Sequence, residues 1–113
     1  MNVFAKANMT AVQTIDRVDR RRLDTASELL KTLAAPIRLA VLVELDRGPR
    51  YVHELVDALQ ASQSLVSQHL RVLRAARLVA AERRGREVVY RLADEHVGQI
   101  VLQAIRHTGE SRP

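Results

Sequence analysis

Residues 62–92 read SQSLVSQHLRVLRAARLVAAERRGREVVYRL, and a change of period inside this stretch decides the fold. From Gln63 to about Ala76 the apolar residues Val66, Leu70 and Leu73 recur at i, i+4 and i+7, with Ser62 or Ser64 able to cap the start, so the spacing predicts a helix. A polar stripe of Ser64, Gln68 and Arg71 runs along another face, flanked by Gln63, Ser67 and Arg74. From Leu78 the period drops to two. Val88, Tyr90 and Leu92 alternate as the inward side of a β-hairpin, and Arg83-Arg84-Gly85-Arg86 forms its tip, where glycine supplies the turn.

Working outward, a first helix is expected from about Leu23, capped by Asp24 or Thr25 and carrying Leu29, Leu30 and Leu33. Pro36 suits the first turn of a second helix that ends at Gly48-Pro49, and a short third helix covers Val52 to Leu59 before Gln60-Ala61. A last helix spans about Ala93 to Thr108. The predicted order is therefore α-α-α-α-β-β-α, a mainly helical (α+β) winged helix-turn-helix. Residues 1–22 read as a basic, flexible or partly helical arm, 23–110 as the folded domain and 111–113 as a tail.

Composition narrows the function. At 113 residues with 47 % hydrophobic content, one modest globular core is expected, which dimerisation would help. The absence of cysteine excludes disulfides and thiolate metal sites, and no apolar run approaches the ~20 residues of a membrane span. The N-terminal segment lacks the features of a signal peptide, so a cytoplasmic location is expected. Of the net charge of +5, all is accounted for between Arg71 and Arg91, where seven arginines meet two acids. A smaller cluster of Arg17, Arg20, Arg21 and Arg22 is partly offset by Asp16 and Asp19. Localised basic stripes are the footprint of nucleic-acid binding. Arginine outnumbers lysine sixteen to two, which favours bidentate contact with phosphate or guanine, although GC-rich codon usage would give the same bias.

The polar face of the fourth helix could be an ordinary solvated surface. Its residue types argue otherwise, since hydroxyls, amides and arginine read base edges and phosphates, and the face holds no acid. Gln63, Ser64, Ser67, Gln68 and Arg71 are the candidate contacts with double-stranded DNA, with His69 beside them either touching phosphate or packing. Arg83, Arg84 and Arg86 suit a wing over phosphates or in a minor groove. His53 is expected to be exposed.

The last helix carries Asp94, His96, His107 and Glu110. His96 and His107 return to nearly one face but lie ~16 Å apart along the axis at 1.5 Å per residue. One ion with ligands at ~2 Å cannot touch both. In an antiparallel pair of identical helices, facing residues have numbers of constant sum. His96 with His107 gives 203 and Asp94 with Glu110 gives 204, so both cross-pairs fit one register with a two-fold axis near Val101 and Leu102. The apolar Val97, Ile100, Val101, Ala104 and Ile105 between them exceed what one intrachain contact needs. The arrangement expected is a homodimer with two equivalent interfacial metal sites. Each residue also has a plainer reading: His107 near a helix C-terminus is favourable as a cation, and His96 can be a surface residue.

The runs LLKTLAAPIRLAVLVEL, HELVDAL, SQSLVSQHLRVLRAARLV, RRGREVVYRL and DEHVGQIVLQAIRHTGE together resemble the ArsR/SmtB family of metal-sensing repressors over roughly residues 25–110, most of all the zinc-responsive members. That resemblance implies a homodimer joined through its first and last helices. It implies metal ligation by Asp94 and His96 from one subunit and His107 and Glu110 from the other, and release of an inverted-repeat operator on metal binding. It also implies a hydrogen bond from His107 to the Arg77 carbonyl, reaching the recognition helix near Leu73. Family members with a site on the third helix use cysteines where this chain has Tyr51-Val52-His53-Glu54, so that site is not expected. Nickel and cobalt sensors add ligands from the chain ends; only three residues follow Glu110 and the arm has no histidine, so a four-ligand nitrogen and oxygen set suits tetrahedral zinc. The family's usual Asp-Pro is Ala35-Pro36 here. An enzyme is not expected, because four protein ligands leave no open position and no nucleophile cluster or small-molecule site is visible. A metal-independent winged-helix repressor and an architectural DNA-binding protein remain the alternatives.

Overall fold

The structure, a computed structural model, describes the backbone of residues 9–110 and the side chains of residues 20–109. Its elements in chain order are α1 (Met9–Leu33), α2 (Pro36–Asp46), β1 (Arg50–Tyr51), α3 (Val52–Leu59), α4 (Gln63–Ala75), β2 (Val79–Arg84), β3 (Glu87–Leu92) and α5 (Glu95–Glu110). Winged helix-turn-helix architecture is present as expected, with one addition: β1 makes the hairpin a three-stranded antiparallel sheet in the order β1-β3-β2. Among the described residues no helix is long and apolar enough to cross a membrane.

The helix α1 starts far upstream of the expected Leu23. Nothing between Met9 and Ala35 is proline or glycine, so no residue there stops a helix. Asp24 and Thr25 therefore sit inside the helix rather than at its cap, and the Thr25 hydroxyl donates back to the Arg21 carbonyl at 2.9 Å. Residues 1–8 of the expected arm and the tail 111–113 lie outside the described residues.

From Thr32 onward the chain forms one compact unit. Pro36 opens α2 at its first turn behind Ala35, which provides no side-chain cap. Glu54 accepts from the Tyr51 backbone N–H at 2.8 Å and so closes the start of α3. Gln60 then takes φ +53 in the turn between α3 and α4, and the Ser62 hydroxyl accepts from Leu65 N–H at 3.2 Å as the cap of α4. The hairpin pairs Val79 with Leu92 through to Arg84 with Glu87. Gly85 takes φ +64 at the first of the two loop positions, where a left-handed residue is required.

The core is apolar throughout: Val41, Leu42 and Leu45 from α2, Leu55 from α3, Val66, Leu70 and Leu73 from α4, Val79 and Val89 from the sheet, and Val97 and Val101 from α5. One expectation is corrected here. The buried residue of β3 is Val89, while Val88, Tyr90 and Leu92 are only half-buried. The addition of β1, pairing Tyr51 with Val89, helps enclose this residue, and α2, α3 and α5 pack against β3. Glycine inside α5 costs helix stability, but Gly98 is buried and a Cβ there would collide with the Asp46 carboxylate and press on Leu92. Its absence of a side chain lets α5 cross α2 closely.

Candidate nucleic-acid interface and metal-ligand helix

The helix α4 is fixed from behind by three residues that are almost fully enclosed, Val66 at 0 %, Leu70 at 1 % and Leu73 at 0 % exposure. This anchorage turns Gln63, Ser64, Gln68, Arg71 and Arg74 outward, with Ser67 half-buried beside them. Its end is set by the backbone. Arg77 takes φ +63, its N–H donates to the Arg74 carbonyl at 2.9 Å, and Leu78 N–H reaches the Leu73 carbonyl at 2.9 Å. That pair of bonds is the Schellman arrangement, usually built on glycine. The chain leaves it directly into β2, so the recognition helix and the wing share a rigid joint.

Charge on this surface is unevenly neutralised. Glu82 lies 3.7 Å from Arg84 and 3.4 Å from Arg91. By contrast, Arg71, Arg74, Arg83 and Arg86 have no carboxylate within ion-pair distance among the described residues, and all four are exposed. Unpaired guanidinium groups on a helix face and on a hairpin tip can neutralise two stretches of phosphate. Near the wing, His53 Nε2 stands 3.2 Å from Glu87 Oε1, and its ring stacks on Tyr51 at 5.6 Å between centroids and 7° between planes. His53 is exposed, as expected.

His69 is half-buried, and its partner was not foreseen: Arg38 Nε donates to His69 Nδ1 at 3.2 Å while Arg38 Nη1 donates to the Thr32 carbonyl at 2.8 Å. The available signal was a lone cation in the otherwise apolar run from Ile37 to Val43.

On α5 the four proposed ligands are placed unequally. Asp94 is the N-cap, its Oδ1 accepting from His96 N–H at 2.9 Å and Val97 N–H at 3.2 Å. His96 Nδ1 lies 3.6 Å from the same oxygen, and both side chains are well exposed at 78 % and 57 % for His96 and Asp94. Asp94 Oδ2 carries no bond among the described residues. His107 is exposed in the last turn, and Glu110 ends the helix with its side chain outside the described residues. The structure thus joins Asp94 to His96 and does not bring His107 to them; among the described residues no three His, Cys, Asp or Glu side chains gather closely enough for a metal. No hydrogen bond among the described residues links His107 to the Arg77 carbonyl.

Face geometry adds an observation about dimerisation. At 3.6 residues per turn His96, Ile100, Gln103 and His107 share one stripe with Ala104 beside it, and all five are exposed, Ile100 at 38 %. Ile100 and Ala104 satisfy the same constant sum as Asp94 and Glu110. Val97, Gly98 and Val101 face inward.

Comparison with known proteins agrees with this geometry. Residues 35–81 match the family model described as bacterial regulatory protein, arsR family. The HTH-type transcriptional repressor SmtB of Mycobacterium tuberculosis is 58 % identical over 91 residues, covering 80 % of this chain and 67 % of that protein. The HTH-type transcriptional regulator NmtR of the same organism is 42 % identical, covering 80 % and 76 %. Among solved structures, HlyU from Vibrio cholerae superposes with a TM-score of 0.72 at 33 % identity, covering 77 % of this chain and 95 % of that one. The homodimeric winged helix-turn-helix DNA-binding domain of a possible ArsR-family regulator from Mycobacterium bovis gives 0.73 at 30 %, covering 80 % and 84 %. With its recognition helix, arginine wing and matched sequence in place, the chain belongs to the ArsR/SmtB family of DNA-binding transcriptional regulators and is not an enzyme.

Proposed function

We propose that this protein is a zinc-responsive repressor whose metal-free homodimer holds an inverted-repeat operator and whose metal-bound form lets it go. The observation that carries this reading is the single register on α5. An antiparallel copy would set Asp94 and His96 against His107 and Glu110 at both ends while burying Ile100 against Ala104. Further apolar surface supports a dimer. Leu23 and Leu30 of α1 are more than half exposed, and a groove of about 610 Å3 between α2, α3 and α5 is lined by residues including Ile37, Val43, Leu59 and Ile105.

The donor set fits zinc. Two imidazoles and two carboxylates give four nitrogen and oxygen ligands, and capping occupies only Oδ1 of Asp94. Zinc, when bound, would supply a cross-subunit tie and no open coordination position. On the DNA side, the two α4 helices of a dimer reading half-sites about one turn, ~34 Å, apart would use Ser64, Gln68 and Arg71 for base edges and Arg74, Arg83 and Arg86 for phosphates. For zinc to release DNA it must bind the weakly DNA-binding dimer more tightly, and DNA must weaken zinc by the same factor. A coupling of about 3 kcal/mol would lower operator affinity more than a hundredfold. His107, donating to the Arg77 carbonyl in the zinc-bound dimer, would tie the metal to the joint that ends α4 at Leu73 and Arg77.

The capping role of Asp94 favours one competing reading, a repressor indifferent to metal, because the cap explains this residue without any ligand. Titration of zinc, cobalt and nickel into the dimer while following operator affinity decides between them. Loss of affinity with zinc is expected, and unchanged affinity with all three would overturn the sensor.

A further inference from the structure

We propose that Arg38 is a positioning residue for DNA binding, holding His69 in the neutral tautomer whose Nε2–H is offered to a backbone phosphate. The proposal rests on the DNA-binding role given above and adds a device to it. Arginine only donates, so the His69 nitrogen facing Arg38 Nε must be the one with a lone pair, and that nitrogen is Nδ1, at 3.2 Å. In a neutral ring the proton then resides on Nε2. Among the described residues Nε2 has no hydrogen-bond partner although the ring is half-buried. Its N–H is left for an acceptor outside the chain.

The guanidinium that sets the tautomer is itself held. Its Nη1 donates to the Thr32 carbonyl at 2.8 Å, in the last turn of α1. Two donors of one planar fork thereby fix both the position and the plane of Arg38. The location of His69 on α4 then selects the kind of acceptor. At about 100° per residue it lies roughly 140° around the helix from Ser64, on the flank opposite Gln63, Ser67 and Arg74. Its neighbours on that flank, Leu65 and Val72, are apolar. A helix in a major groove turns its two flanks toward the two phosphate walls. Arg74 and its neighbours serve one wall, and His69 is the polar residue that serves the other.

Two measurements test the device in the full-length dimer. Ring 15N spectra of the imidazoles, with His69 assigned by its loss in His69→Asn, should show a lone-pair Nδ1 and a protonated Nε2 in the wild type, and a mixture of tautomers in Arg38→Met. Binding is followed on a random-sequence duplex, since a phosphate contact is sequence-blind. Asparagine can still accept from Arg38 near the Nδ1 position but has no Nε2 donor, so His69→Asn should melt normally and bind about a hundredfold more weakly, the worth of two hydrogen bonds to a charged group, one from each subunit. Its salt slope should not change, because no charge is removed. Arg38→Met should lose a similar factor, and the double variant should lose no more than the weaker-binding single one. Should Arg38→Met fail to fold, Arg38→Lys, which keeps the cation without the Nε donor, takes its place in both measurements. A wild-type proton on Nδ1, unchanged affinity in a folded His69→Asn, a slope reduced by about two, or losses that multiply would each overturn the proposal. Failure of the wild type to bind any duplex would remove the DNA-binding role as well, whereas intact wild-type binding with an unaffected His69→Asn removes this proposal alone.

Discussion

The recognition helix and the C-terminal helix are both amphipathic, yet only the first is complete within one chain. On α4 the buried anchors Val66, Leu70 and Leu73 aim a finished set of polar groups outward, and the exposed arginines await only phosphate. On α5 the buried residues Val97 and Val101 leave the two proposed ligand pairs outward and separated by most of the helix. The α4 surface is complete within one chain, whereas the proposed metal site would need a second copy to complete it. On the proposed reading, function on α4 is a matter of local geometry, and on α5 a matter of register between copies.

Changes that damage one region and spare the other test this division, and the largest effect belongs to the anchors. Leu70→Ala should destabilise the domain by about 2–5 kcal/mol through lost burial and a residual cavity. Thermal melting of the dimer checks it, and a loss under 1 kcal/mol would mean that the site collapses easily. His107→Ala should act on the other helix alone. The zinc-induced loss of operator affinity, about a hundredfold or ~3 kcal/mol, should vanish while metal-free DNA affinity stays within twofold. If that variant bound operator poorly without metal, the two regions would not be separable. On the DNA side, Arg86→Ala should weaken operator and random duplexes alike and lower the salt slope by about two, one for each subunit of the dimer. A loss confined to the operator would reassign Arg86 to base reading.

Asp94 joins the two accounts, since it caps α5 through Oδ1 while its Oδ2 carries no bond among the described residues. Asn caps as well as Asp, so Asp94→Asn should keep the melting temperature and weaken zinc binding, whereas Asp94→Ala should also cost about 1 kcal/mol of stability. Calorimetric zinc titration beside thermal melting separates the roles. Equal zinc affinity in Asp94→Asn and wild type would leave Asp94 as a cap only.

How far the sequence could be read follows the same division. The ends of α2, α3 and α4 were legible because Pro36, Gly48-Pro49, Gln60 and Ser62 punctuate them with residues whose backbone or hydroxyl chemistry is local. The start of α1 was not, because no breaker lies between Met9 and Leu33. The strand β1 is two residues long, too short to show a period, and adjacent Val88 and Val89 left the inward face of β3 ambiguous. The proposed ligand pairs on α5 rest on the sequence alone, because a two-fold register would leave its mark as a constant sum of residue numbers. The bond from Arg38 to His69 spans 31 positions, and such a pairing leaves no periodic trace.

The smallest predicted effect lies at the turn that ends α4 and leads into β2. Arg77 occupies φ +63, a left-handed conformation that costs a non-glycine residue about 1–2 kcal/mol. Glycine removes that penalty but gains about 0.5–1 kcal/mol of unfavourable backbone entropy on folding. Arg77→Gly should thus be neutral to about 1.5 kcal/mol more stable, and thermal melting resolves this because 1 kcal/mol moves the midpoint by several degrees in a domain of this size. The substitution keeps the carbonyl that His107 is expected to engage, so zinc-induced release should persist with it. Loss of release without loss of stability would show that the arginine side chain, rather than the backbone turn, carries the message from α5 to α4.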